Sequence, residues 1–162
     1  PFFCTCGIGF DAHISQLFAT NKKRGFWNYL YLCIREYFRY TPTKCTLEYE
    51  GKKVTKKAFV INCANIHQFG YNAYIAPHAD FTDGRLNITI VKPFGFIGAI
   101  RLSVSLFLKQ IDKIKYTETF DCERITFHLP PKTPFHCDGD AIPMPSMVTV
   151  EAIKQDLKVI IP

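Results

Sequence analysis

Thr133-Pro134-Phe135-His136-Cys137-Asp138-Gly139-Asp140-Ala141-Ile142-Pro143-Met144-Pro145 places two carboxylates, Asp138 and Asp140, on either side of one glycine. Apolar and β-branched runs flank the unit, and prolines close it off. Glycine takes positive φ without steric cost, so an Asp-Gly-Asp unit bends sharply and can aim both carboxylates into one place. Two readings follow. In one, the acids work as a pair, holding a metal or acting as a base and the group that orients it. In the other, the unit is a hairpin turn with solvated acids. Both make it a turn leaving a short strand at 133–137.

Further short strands are expected around it, at 115–121, 123–129, 146–152 and 156–161. Short strands at this spacing predict antiparallel sheets in a sandwich or barrel. Upstream, 44–50 alternates with period two, Gly51-Lys52 turns, 53–64 runs apolar, and 86–92 reads as a strand. Residues 2–6 read as a strand too. Gly7-Ile8-Gly9 then offers two glycines between a strand and a helical pattern at about 12–20, as a phosphate-cradling turn does, but the third glycine of the dinucleotide fingerprint is absent. Asp11 is alternatively a plain N-cap.

Two longer helices are expected. In 26–40, Phe26, Leu30, Cys33 or Ile34, Tyr37 and Phe38 recur at helical spacing, and Pro42 ends the pattern. This helix either packs on a sheet or lines an apolar groove. In 95–110, Ile97, Ile100, Leu102, Val104, Leu106, Phe107 and Leu108 supply an apolar face. Residues 65–84 carry no period and read as a long loop, a feature that is usually functional or disordered; the aromatic content argues against disorder. The basic loop 21–25 is a solvated loop or a contact for phosphate or anionic lipid.

The chain has 162 residues, 48% hydrophobic and 21% charged, so it is globular, with enough length for one domain and a sizeable core. The expected class is mainly β (α+β), an antiparallel sandwich with two substantial helices. No apolar run reaches the roughly 20 residues that span a bilayer. No signal peptide is visible and no initiator Met, so the chain is either processed or a piece of something longer. Seven cysteines, an odd number without Cys-x-x-Cys spacing, read as buried thiols in a reducing cytosol. The net charge of +6 admits an anionic partner without selecting one. The basic residues are scattered and no nucleic-acid motif is present, so no nucleic-acid partner is expected.

Four motifs then stand in order: Gly7-Ile8-Gly9-Phe10-Asp11-Ala12; Asn62-Cys63-Ala64-Asn65; Tyr74-Ile75-Ala76-Pro77-His78-Ala79-Asp80-Phe81-Thr82-Asp83-Gly84-Arg85-Leu86; and His136-Cys137-Asp138-Gly139-Asp140. Together they resemble the C-terminal domain of the bacterial diacylglycerol kinase and lipid kinase family, related to sphingosine and ceramide kinases, nearly end to end. The resemblance implies the second, β-sandwich domain of a two-domain enzyme, with 1–162 as one domain and the active site in the cleft toward an N-terminal ATP-binding domain. The Gly-Gly-Asp-Gly-Thr motif of that partner domain is absent here, so the fragment alone is expected to be inactive.

The resemblance also implies roles. Asp140 stands where the family has a glutamate that accepts the proton of the lipid hydroxyl; Asp is one methylene shorter, so either the backbone restores the reach or activity is weakened. Asp138 would orient that base or help hold magnesium. Asp80, Asp83 and the backbone carbonyl of Arg85 match a magnesium site, Asp83 being alternatively a turn or capping residue. Gly9 and Asp11 match a cofactor-side position facing the cleft, where Asp11 binds metal or ties the domains together. ATP and Mg²⁺ are the implied cofactors. The implied partners are a lipid substrate, a membrane surface at the inner cytoplasmic face, the chain's own N-terminal domain and a homodimer mate. The competing reading is a non-catalytic lipid-binding or regulatory module with a degenerate site.

Overall fold

The computed structural model describes residues 1–21, 25–143 and 146–154. Its strands are β1 (Thr5–Gly9), β2 (Thr43–Tyr49), β3 (Lys52–Ala58), β4 (Val60–Ala64), β5 (Gln68–Gly70), β6 (Ala73–Tyr74), β7 (Leu86–Val91), β8 (Thr117–Cys122), β9 (Arg124–His128), β10 (Phe135–Cys137), β11 (Asp140–Ile142) and β12 (Met147–Glu151). Its helices are α1 (Phe10–Thr20), α2 (Phe26–Tyr37) and α3 (Phe96–Phe107). The mainly β sandwich expected from the sequence is what forms.

Six strands make one sheet in the order β11-β10-β1-β4-β7-β8, and four make the other in the order β12-β9-β2-β3. Every pairing is antiparallel. Alternation decides which side chains meet between the sheets. Cys45 and Leu47 of β2, Ile125 and Phe127 of β9, Ile8 of β1, Ile61 of β4, Ile88 and Ile90 of β7 and Phe135 of β10 form that core. Phe127 and Phe135 meet edge to face at 5.9 Å across it. Burying each such side chain stabilises the fold by about 1.5–3 kcal/mol.

The six-stranded sheet is covered on its other face as well, so β1, β4 and β7 are buried along their whole length. That second layer is built on Phe59, with Val60, Ile75, Ala76, Val91 and Leu102. Phe59 stacks on Phe10 at 4.7 Å and meets Phe94 edge on at 4.7 Å. Its carbonyl accepts the N–H of Phe10 and its own N–H bonds Val91 O. Phe59 therefore sits where the chain leaves one sheet for the other. The apolar run 53–64 is divided between two strands in different sheets for this reason.

Other expectations move. The first strand is Thr5–Gly9, with both glycines of Gly7-Ile8-Gly9 inside it; they do not form a phosphate-cradling turn. A Cβ on Gly7 would lie 2.1 Å from Ile61 O, and one on Gly9, at φ +126°, 2.5 Å from Phe59 O. The glycines let β1 lie flush on its neighbour. Helix α1 starts at Phe10, capped by Gly9, so Asp11 lies in its first turn and is not the N-cap. The loop 65–84 contains the β5–β6 hairpin, turned by Tyr71 and Asn72 at positive φ. The strand β11 was not expected. The cysteines form no disulfide; four are buried, whereas Cys4, Cys33 and Cys137 are half-buried. The strand expected at 156–161 and the basic residues Lys22, Lys23 and Arg24 lie outside the described residues.

Helices α1 and α2 are joined by Glu36, a buried acid whose Oε2 lies 3.0 Å from His13 Nε2 and whose Oε1 lies 2.7 Å from Arg35 Nη2. The hydrogen bond with His13, opposed by burial and aided by Arg35, holds the Glu36 carboxyl below its ordinary range. A depressed folded value means that this contribution to stability is present above the ordinary glutamate pKa of about 4.3 and is lost as pH falls through the folded value. Glu36→Gln should lower the urea midpoint at pH 7 and show a smaller further loss below about pH 4.3 than the unaltered chain. Urea titrations at several pH values measure both.

Candidate active site

The Asp138-Gly139 pair turns β10 into β11 as a two-residue hairpin, with φ of 51° and 87° and Cys137 paired to Asp140. Positive φ at both central positions is the turn type that matches strand twist and selects Asp-Gly. The turn separates the two carboxylates in role. Asp138 folds back on the start of the chain: its Oδ1 accepts the N–H of Cys4 at 2.7 Å and of Thr5 at 2.9 Å, and its Oδ2 accepts the N–H of Phe3 at 2.7 Å. Its own N–H donates to Thr5 O at 2.8 Å. One carboxylate thus fixes three consecutive amides before and at the start of β1. Asp140 is exposed at the first position of β11. Sequence reasoning missed the clasp because its partners lie more than 130 residues away.

Behind the hairpin, His136 is buried, with Nε2 3.0 Å from Asp11 Oδ2. Asp11 Oδ1 accepts the N–H of Ala12 at 2.8 Å. Both oxygens of Asp11 are therefore engaged inside the domain, linking α1 to β10. Burial lowers the pKa of His136 and the charge of Asp11 raises it; the balance lies above the ordinary value. On the opposite face, Cys63, Cys6 and Cys137 lie side by side across β4, β1 and β10. Contacts with Cys6 together with burial push the Cys137 thiol far up, so it stays a neutral thiol at neutral pH.

Asp80, Asp83 and Arg85 share the turn that leads into β7. Asp80 Oδ1 accepts the Thr82 N–H at 2.8 Å and the Thr82 hydroxyl at 2.6 Å. Those bonds hold the Asp80 carboxyl below its usual range. Asp83 Oδ1 accepts the Arg85 N–H at 2.7 Å. The Arg85 guanidinium reaches away to Asp121 O at 3.0 Å and Glu50 at 3.6 Å, so only its backbone carbonyl belongs to the turn. This turn uses Oδ1 of both acids. The donors are hard oxygens, which fit Mg²⁺, an ion that keeps several waters and takes few protein ligands. Among the described residues no three His, Cys, Asp or Glu side chains gather into a metal cluster.

Removing the acceptor at 138 should loosen the start of the chain. Asp138→Asn leaves an amide N–H facing a backbone N–H, and is expected to cost about 1–3 kcal/mol and speed amide exchange at residues 3–5. Asp140→Asn should change neither. Denaturant melts with residue-resolved hydrogen exchange separate the two acids.

The domain family described as the YegS C-terminal NAD kinase beta sandwich-like domain matches residues 4–161. No curated protein matches the chain. Among solved structures, a protein of Bacillus anthracis str. Sterne provisionally described as a diacylglycerol kinase superposes with a TM-score of 0.66 at 15% identity, over 94% of this chain and 50% of its own. A diacylglycerol kinase from the same strain gives 0.55 at 16% identity, over 93% and 47%. A third, provisionally described in the same way, gives 0.59 at 17%, over 93% and 50%. These likenesses show a shared fold, and the chain spans about half the length of each protein. The chain belongs to the family of YegS C-terminal, NAD kinase beta sandwich-like domains.

Proposed function

We propose that this chain is the lipid-binding and catalytic half of an ATP- and Mg²⁺-dependent kinase that phosphorylates the hydroxyl of diacylglycerol or a similar lipid. The observation that carries the reading is the division of labour in the hairpin: Asp138 is spent on holding the backbone, and Asp140 is left exposed beside it. A rigid turn presenting one free carboxylate is what a general base for a hydroxyl requires. In this reading Asp140 accepts the proton as the lipid oxygen attacks the γ-phosphate. Asp138 orients the base through the backbone. Asp80, Asp83 and the Arg85 carbonyl would hold Mg²⁺. When bound near the phosphates, Mg²⁺ neutralises charge that develops on them. Gly9 and Asp11 serve the cofactor side indirectly, by seating β1 and, through His136, β10. ATP itself is held by an N-terminal domain that the family pattern supplies.

The outer helices support a lipid partner. Trp27, Tyr31, Ile34 and Phe38 form an exposed stripe on α2, and Ile97, Ile100, Val104 and Phe107 form another on α3. Phe38 stacks on Phe96 at 6.0 Å and joins the two faces. Arg101 and Lys113 border a shallow cleft lined by Ile100, Val104, Leu108 and Ile114. Between residues 92 and 116 there are five basic residues (Lys92, Arg101, Lys109, Lys113, Lys115) and one acid, Asp112. An aromatic and aliphatic face rimmed by cations suits the interface of an anionic bilayer. None of the described helices is long and apolar enough to cross a membrane.

Two tests follow. In the full-length protein with ATP, Mg²⁺ and a panel of diacylglycerol, monoacylglycerol, ceramide and sphingoid base, labelled phosphate should appear in one lipid. Asp140→Asn should reduce that turnover by about 10²-fold or more with the melting temperature unchanged. No transfer from a folded, ATP-binding parent would favour the regulatory module instead. Separately, the double variant Ile34→Asp, Ile100→Asp should weaken co-sedimentation with phosphatidylglycerol vesicles, and unchanged co-sedimentation would remove these helices from the membrane contact.

A further inference from the structure

Four side-chain polar atoms among the described residues of the six-stranded sheet are buried and have no protein partner: Thr117 Oγ1 in β8, and Asn62 Nδ2, Asn62 Oδ1 and His136 Nδ1. The last three belong to one row. His136 of β10 is opposite Gly7 of β1, Gly7 is opposite Asn62 of β4, and Asn62 is opposite Thr89 of β7. Residues directly opposed in a sheet project to the same face. The row lies on the helix side, because His136 reaches Asp11 of α1 and Thr89 donates to Ile75 O at 2.9 Å in the covering layer. Asn62 and His136 therefore flank a residue that has no side chain, two strand spacings (about 10 Å) apart along the backbone.

Each buried, unpartnered amide or imidazole atom carries a desolvation penalty, and native interiors meet that demand with protein groups or internal water. Thr89 and the Nε2 atom of His136 are satisfied by protein. The three unpartnered atoms of the row lie on either side of Gly7, which carries no side chain. A water there gains donors and acceptors from both walls: the Asn62 amide offers one of each, and His136 Nδ1 offers one more.

We propose that Asn62 and His136 hold an internal water over Gly7, and that the resulting chain from Asn62 through water and His136 to Asp11 makes His136 a positioning residue for the hairpin that carries Asp140. The strand β10 has only three residues and is followed at once by the turn. Its middle residue is His136, so a bond on each side of the imidazole fixes the strand between α1 and β4. The importance of Asp140 in this proposal rests on the kinase reading above; the water site does not.

The test uses the full-length protein. A crystal structure that resolves ordered solvent should show a density peak within hydrogen-bond distance of both the Asn62 amide and His136 Nδ1. Absence of the peak, or a direct protein bond to either group, overturns the proposal. Asn62→Leu gives a second reading whose sign is decisive. If the amide is unpartnered, an apolar residue of similar shape stabilises the fold; if it holds water, the melting temperature falls. Nitrogen-15 NMR of the wild type, with His136→Gln as the assignment control, should show the His136 Nδ1 resonance shifted by the hydrogen bond it accepts, a shift that Asn62→Leu loses. That measurement needs no activity, so a parent that transfers no phosphate would sink the kinase reading and leave the water site standing. Where turnover is present, Asn62→Leu should lower kcat by about tenfold to a hundredfold with the KM for ATP unchanged. A rise in KM alone would contradict a positioning role.

Discussion

A single carboxylate organises this half of the sandwich. Asp138 gathers the N–H groups of Phe3, Cys4 and Thr5, and its own N–H returns to Thr5 O. Charge-assisted bonds of this kind are about twice as strong as neutral ones. They act where burial is slight, since Phe3 is exposed and Cys4 only half-buried, and they add to the bonds that Asn65 makes to the carbonyls of Phe3 and Cys4. The clasp sets where β1 begins. Gly7 and Gly9 then allow β1 to lie against β4 at a distance that a Cβ would forbid. With β1 seated, β10 pairs to its other side and the hairpin that bears Asp140 has a fixed base.

The same arrangement explains why two acids one residue apart do not behave alike. In this turn with two positive φ values, the first central residue, Asp138, turns its carboxylate onto the amides of residues 3–5, whereas the residue after the glycine starts the next strand. The geometry spends one acid on structure and leaves the other to solvent. The layer behind repeats this economy of polar groups. Asp11 ties His136 to α1, and the glutamate on α2 ties that helix to His13. Charged groups inside the domain are paired across elements, while the apolar surplus is carried outward on α2 and α3.

Much of the sandwich was legible in the sequence, because the alternation at 44–50 and the β-branched stretch Ile88-Thr89-Ile90-Val91 within 86–92 are local signals of strands. The Asp-Gly pair announced its own turn. What was not legible is non-local. The three residues of β11 carry too short a pattern to be seen as a strand. The boundary at Phe59 depends on four aromatic rings, Phe10, Tyr37, Tyr40 and Phe94, from three other segments. Gly7 and Gly9 looked like a phosphate loop since glycine signals close approach without saying what approaches; here it is the backbone of β4. Asp138 looked like half of a catalytic pair because its amide partners lie at the far end of the chain. Asn62 stood only as a strand end, since burial of an amide is a property of the row it joins. The family motifs fall on β1, on the turn into β7 and on the Asp-Gly hairpin, and non-local contacts give Asp138, Asp11 and the glycines structural partners there.

The most direct test is a crystal structure of the full-length protein with Mg²⁺, a non-hydrolysable ATP analogue and a short-chain lipid acceptor. The account predicts that the Asp140 carboxylate lies within about 3 Å of the acceptor hydroxyl, with Asp138 still bound to the amides of residues 3–5. An acceptor hydroxyl held by another group, with Asp140 turned to solvent, would contradict it.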